Sequence, residues 1–108
     1  MTSTEFRNIA LSFPVTEEKP HFDRAAFKII SKRIFATLHE ESNTANLKLT
    51  LSEQKAFSAI DKKNIFPIDN AWGKQGWTTF DLKKIDPDIL KEAMHSAYQA
   101  ALQPTKKK

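Results

Sequence analysis

Apolar residues recur at helical spacing near both ends of the chain and at alternate positions between. This pattern divides the chain into helix, sheet and helix. Thr2-Ser3-Thr4-Glu5 has the form of a capping box. Phe6, Ile9, Ala10 and Phe13 then line one helical face until Pro14 ends it. From Glu17 to Thr50 the period falls to two. Glu17–Asp23 reads as an edge strand, because Pro20 has no N–H to give to a ladder. Ala26–Ile30 and Arg33–His39 flank a hairpin turn at Ser31-Lys32, and Ala45–Thr50 is a fourth strand. Thr50-Leu51-Ser52-Glu53 is a second capping box, opening a helix that turns Leu51, Ala56, Phe57 and Ile60 inward. After a proline-interrupted loop over 64–71, Trp77–Leu82 alternates as a fifth strand. Asp86-Pro87-Asp88 then starts a last helix, with a capping aspartate and proline at its first position. The order α-β-β-β-β-α-β-α predicts a single α+β domain with a largely antiparallel sheet and its helices on one face.

Sorting the strands by alternation gives two faces. Phe22, Phe27, Ile29, Ile34, Ala36, Leu38, Leu47, Leu49, Phe80 and Leu82 fall on the side the helices should cover. Lys19, His21, Lys28, Phe35, Thr37, His39, Asn46, Lys48, Trp77 and Thr79 fall on the other. Three helices suffice to cover one face, so the second is expected to be open and to mix aromatic rings with lysines and histidines. A one-residue slip would invert every assignment.

Both glycines and both tryptophans lie within Trp72-Gly73-Lys74-Gln75-Gly76-Trp77. Every other turn is made without glycine, so these two positions are expected to need a positive φ or the close approach of another group. Trp72, Lys74 and Trp77 thereby become candidate contacts, with Lys74 projecting from a tight turn. The competing expectation is structural: Trp77 and Phe35 would pack against the preceding loop as a small second core, and Trp72 would plug the sheet edge.

Composition narrows the chemistry. The 108 residues are enough for one core and too few for two. The absence of cysteine removes disulfides, thiolate nucleophiles and Cys-ligated zinc. No apolar run approaches the roughly 18 residues of a membrane helix and the N-terminus lacks signal-peptide character, so the expected setting is cytoplasmic. The net charge of +4 is concentrated at the C-terminus. Residues 1–54 balance at seven basic and seven acidic groups, whereas residues 55–108 carry ten against six, three of the ten being Lys106, Lys107 and Lys108. The expected organisation is a domain over 1–104 and a short basic tail over 105–108, whose charge says little about binding.

Catalytic and metal chemistry find no support in the sequence. Gly73-Lys74-Gln75-Gly76 has neither the length of a phosphate-binding P-loop nor its Lys-Ser/Thr ending. The serines sit at caps, turns and helix surfaces, and no carboxylate pair suggests general acid–base work. His21 and His39 share a side but lack an evident third ligand. No cofactor is implied, and a binding module is favoured over an enzyme.

The segments Phe13-Pro14, Glu18-Lys19-Pro20-His21-Phe22, Phe35-Ala36-Thr37-Leu38-His39-Glu40, Leu47-Lys48-Leu49 and Ala71-Trp72-Gly73-Lys74-Gln75-Gly76-Trp77-Thr78 resemble the MmcQ/YjbR family of small bacterial proteins. The resemblance spans nearly the whole chain, and the tryptophan hexapeptide is its most specific motif. It implies a frataxin-like (CyaY-like) fold, in agreement with the order of elements read above. It also implies DNA binding, a label the family carries from fold likeness. It does not carry over iron chemistry, since the first helix has Glu5 and no acidic ridge. The matching positions that could form a surface are Lys19, His21, His39, Lys48, Trp72, Lys74 and Trp77, to which alternation adds Lys28. Ser31-Lys32-Arg33 sits where the family varies and carries less weight. The expectation is a monomer binding DNA through the open face and the Trp72–Trp77 loop. A protein- or small-anion-binding adaptor using the same face is the alternative.

Overall fold

The computed structural model describes residues 1–103, so the basic tail over 105–108 lies outside the described residues. Both capping boxes form. The Thr2 hydroxyl accepts from the Glu5 amide and Glu5 answers to the Thr2 amide, starting helix α1 (Ser3–Ser12); Thr50 and Glu53 do the same for α2 (Leu51–Ile60). Each pair satisfies donors that a helix start would otherwise leave open. Asp86 and Pro87 start α4 (Pro87–Leu102) as expected.

The sheet is antiparallel throughout. Its strands are β1 (Thr16–His21), β2 (Arg24–Ile29), β3 (Ile34–His39), β4 (Thr44–Lys48), β5 (Ile65–Pro67) and β6 (Trp77–Asp81), in the spatial order β1-β2-β3-β4-β6-β5. The expected order of elements holds. Two short ones are added between α2 and β6: β5, which takes an edge of the sheet, and α3 (Ala71–Lys74), a single turn inside the tryptophan hexapeptide. Helices α1 and α4 pack on one face of the sheet, and α2 packs against β5.

Phe6, Phe27, Leu38, Leu47, Leu49, Phe80, Leu90 and Met94 are fully buried between sheet and helices. Burying one such side chain contributes about 1.5–3 kcal/mol, so this layer dominates stability. Phe13, Phe35 and Tyr98 add an aromatic cluster: Phe13 stacks on Tyr98 with ring centroids 4.5 Å apart, and Phe35 meets Tyr98 edge-on at 5.6 Å. The Tyr98 hydroxyl donates to the Pro14 carbonyl at 2.8 Å, tying α4 to the end of α1.

Three positions depart from simple alternation. Phe27 pairs with Ala36 while Lys28 pairs with Ile34, so Phe35 is the extra residue of a β-bulge. The bulge turns Phe35 into the core, fully buried, and leaves half-buried Ile34 on the face of Lys28. The two residues thus exchange their expected sides. Phe22 is not a strand residue at all. It sits in the β1–β2 turn at φ 60° and is 96% exposed. Val15, Ser31 and Asn43 also adopt positive φ, the conformational cost of making turns without glycine.

The hexapeptide glycines have separate reasons. At Gly73 a Cβ would stand 1.8 Å from the Ile68 carbonyl oxygen; at Gly76, where φ is 110°, it would stand 1.9 Å from that of Leu49. Neither position can hold a side chain without moving backbone.

Candidate nucleic-acid interface

Cross-strand partners share a face of the sheet, so the register fixes which side chains lie together. Glu17–Lys28 and His21–Arg24 link β1 to β2, and Lys28–Ile34 and Ala26–Thr37 link β2 to β3. Thr37–Asn46 and His39–Thr44 continue to β4, and Asn46–Thr79 and Lys48–Trp77 reach β6. Lys19, His21, Lys28, His39, Lys48 and Trp77 therefore all lie on the face opposite the main helix layer. Leu47 and Leu49, flanking Lys48, are buried on the helix side.

The segment between α2 and β6 brings Trp72 to the same face. The buried Gln54 amide donates to the carbonyls of Gly73 (2.9 Å) and Trp77 (3.2 Å) and to the Thr78 hydroxyl (3.1 Å), clamping both ends of the hexapeptide to α2. Asn70 caps α3 by accepting from the Trp72 amide at 2.8 Å, and the Ile68 amide donates to the Trp77 carbonyl. Held in this way, Trp72 is 58% exposed, and it lines a groove of about 320 Å³ with Trp77, Ile34, Ile68, Thr37, Asn46, His21 and Arg24. Neither indole is in ring contact with another aromatic side chain among the described residues. The loop-packing expectation is met only in part by Trp77, which is half-buried and lines the open groove with the loop residue Ile68. It fails for Phe35, which belongs to the main core.

Past Ile34 and Trp77 the groove runs into a second recess of about 640 Å³. Lys28, Lys32, Arg33 and Lys48 line it, with Thr50, Gln75 and the C-terminal turn of α4 at Ala100 and Ala101. Among the described residues no carboxylate lines either cavity. Glu17 and Asp81 on this face, and Asp23 beside His39, lie outside both, and among the described residues neither Lys28 nor Lys48 is ion-paired. Arg33 donates to the Gln103 carbonyl at 2.6 Å, which fixes its guanidinium at the helix end.

The remaining expected residues are less central. Lys19 lies on the open face of the edge strand and lines neither cavity. His39 is engaged locally: Nε2 faces Asp23 Oδ2 at 3.1 Å, which leaves Nδ1 of a neutral ring to accept from the Ser42 hydroxyl at 2.6 Å. Lys74 is exposed at the end of the single turn α3, where it borders a separate recess beside Asp69 and Asn70 and lines neither the groove nor the cationic recess. Among the described residues no three groups of metal-ligating type come together. Among the described residues no helix is long and apolar enough to cross a membrane. Arg24, Ile34 and Ile68 are groove residues that alternation did not single out. Arg24 fell between expected strands, Ile34 is displaced by the bulge, and Ile68 arrives from the loop.

The sequence profile of the family described as YjbR matches residues 11–100. No curated protein matches the sequence. Among solved structures, a crystal structure of a protein from Deinococcus radiodurans is similar with a TM-score of 0.79 at 19% identity, over 92% of this chain and 77% of that one. A crystal structure of a protein from Pseudomonas syringae is similar with a TM-score of 0.69 at 17% identity, over 94% of this chain and 99% of that one. At these identities the likeness is one of fold.

Proposed function

We propose, from the premise that the chain belongs to the YjbR family, that it is a DNA-binding module acting as a cytoplasmic monomer through the open face of its sheet. The observation that carries this reading is the groove lined by Trp72 and Trp77, opening into a recess with Lys28, Lys32, Arg33 and Lys48 and, among the described residues, no carboxylate. DNA offers a chain of negative charge and flat apolar bases, and affinity for it comes largely from cations that displace counterions along the backbone. Lysines and arginine at one end of the face supply that attraction, and the indoles supply surface for bases. Lys19 and Lys74 contribute long-range charge at most, and His39 is engaged with Asp23 and Ser42, since none of the three borders the groove.

A protein- or small-anion-binding adaptor would use the same surface. The cationic recess favours a polyanion over an apolar protein partner, because Lys28, Lys32, Arg33 and Lys48 gather positive charge there that a bound anion offsets. The test is indole fluorescence on titration with DNA at several salt concentrations. A DNA-binding face gives a steep fall in affinity with salt, and an apolar docking face gives almost none.

A further inference from the structure

The two cavities differ in chemistry and follow one another along the strands, and this order identifies the form of nucleic acid the face can take. The groove is walled by Trp72, Trp77, Ile34 and Ile68, and the recess beyond Trp77 by the cations Lys28 and Lys48. Arg24 stands at the other end of the groove, four residues before Lys28 on β2 and hence roughly 13 Å away at the rise of an antiparallel strand. Cations thus flank an apolar centre. A duplex presents phosphates on its outside and keeps its bases stacked within, so it can satisfy the cations and leave the indole-lined groove empty. An unpaired nucleotide satisfies both, with its base against the indoles and its phosphate among the lysines.

We infer that the site takes an unpaired nucleotide, base in the Trp72–Trp77 groove and phosphate in the Lys28–Lys48 recess, so that the module selects single-stranded DNA over duplex. This rests on the DNA-binding reading and adds to it the strand form and the division of the site. The same chemistry could be supplied by a free nucleotide, and the two sources are separable by experiment.

The test titrates the full chain with a 15-residue oligothymidylate, the corresponding 15-base-pair duplex and thymidine monophosphate at one salt concentration, reading indole fluorescence and anisotropy of labelled DNA. The expected result is binding of the single strand at least ten-fold tighter than the duplex, with competition by millimolar mononucleotide. Trp72→Ala should weaken the single strand by five-fold or more and leave the duplex within two-fold. Trp72 is mostly exposed, so the variant should fold, and unchanged far-ultraviolet circular dichroism checks that it does. Should Trp72→Ala unfold the chain, Ile34→Ser, which alters the opposite wall without adding charge, carries the same prediction. Duplex binding as tight as single-strand binding overturns the inference while leaving the DNA-binding reading standing. Binding of the mononucleotide without either DNA overturns the DNA-binding reading but keeps the nucleotide site. Binding of none of the three overturns both.

Discussion

Gly76 and Leu49 lie back to back. The Leu49 amide donates to the Gly76 carbonyl at 3.0 Å, and the Leu49 carbonyl oxygen occupies the space that a Cβ on Gly76 would need. That contact fixes where β6 begins, and with it the direction in which Trp77 enters the open face. Gly76→Ala combines a left-handed φ with a backbone collision and should cost about 2–4 kcal/mol in urea unfolding. Lys74→Ala, two residues earlier on an exposed turn, should stay within about 0.5 kcal/mol. Equal effects at the two positions would refute the clasp.

The bulge makes a second prediction. Phe35→Ala removes a fully buried ring beside Phe13 and Tyr98 and should cost about 3–5 kcal/mol. Ile34→Ala removes a half-buried side chain on the other face and should cost about 1 kcal/mol or less. With strict alternation the larger loss would fall at Ile34, so thermal unfolding of the pair reads the register directly.

Gln54 is the hinge between α2 and the hexapeptide. Replacing it with Leu keeps its bulk but removes the side-chain bonds to the Thr78 hydroxyl and to the Gly73 and Trp77 carbonyls, which keep their backbone partners, at a cost of about 1 kcal/mol. Amide exchange should quicken first at Gly73, Gln75 and Gly76, and the fluorescence of Trp72 should shift. A uniform acceleration across all strands would mean that Gln54 supports the core and not the loop.

The capping box at α1 gives a pH dependence with a definite sign. The hydrogen bond from the Thr2 backbone amide holds the Glu5 carboxyl below its usual range. A carboxyl whose folded pKa is depressed stabilises fully above its unfolded pKa, and that contribution fades as pH falls through the folded value. Glu5→Gln should therefore flatten the acid limb of the stability profile, with its small loss of stability present at neutral pH and vanishing at low pH. A flattening seen above pH 7 would contradict this assignment.

The sequence made the sheet faces legible wherever strands alternate without interruption. Lys28, Lys48, Trp77, Leu47 and Leu49 fell on their observed sides because a pleated strand has a period of two and one face had to be buried. Capping signals located α1, α2 and α4 because their chemistry is local. Ile34 and Phe35 were not legible, since a bulge is decided by packing against Phe13 and Tyr98 on distant segments. The three residues of β5 and four of α3 are too short to show a period. Phe22 was misread because an apolar residue at a strand end looks like a core position until the turn is known. Lys32 and Arg33, weighted lightly in the sequence, line the cationic recess because the β2–β3 turn folds toward the end of α4.

The central claim is that cations at one end of an aromatic groove hold a DNA backbone. It is tested most directly by the salt dependence of single-stranded DNA affinity in the wild-type chain, Lys28→Ala, Lys48→Ala and Lys74→Ala. Each phosphate contact contributes about 0.7 to the slope of log K against log salt for a single strand. Lys28→Ala and Lys48→Ala should each lower affinity several-fold and reduce the slope by about that amount, whereas Lys74→Ala should leave the slope nearly unchanged. Equal slopes in all four proteins, or a loss confined to Lys74→Ala, would contradict the account.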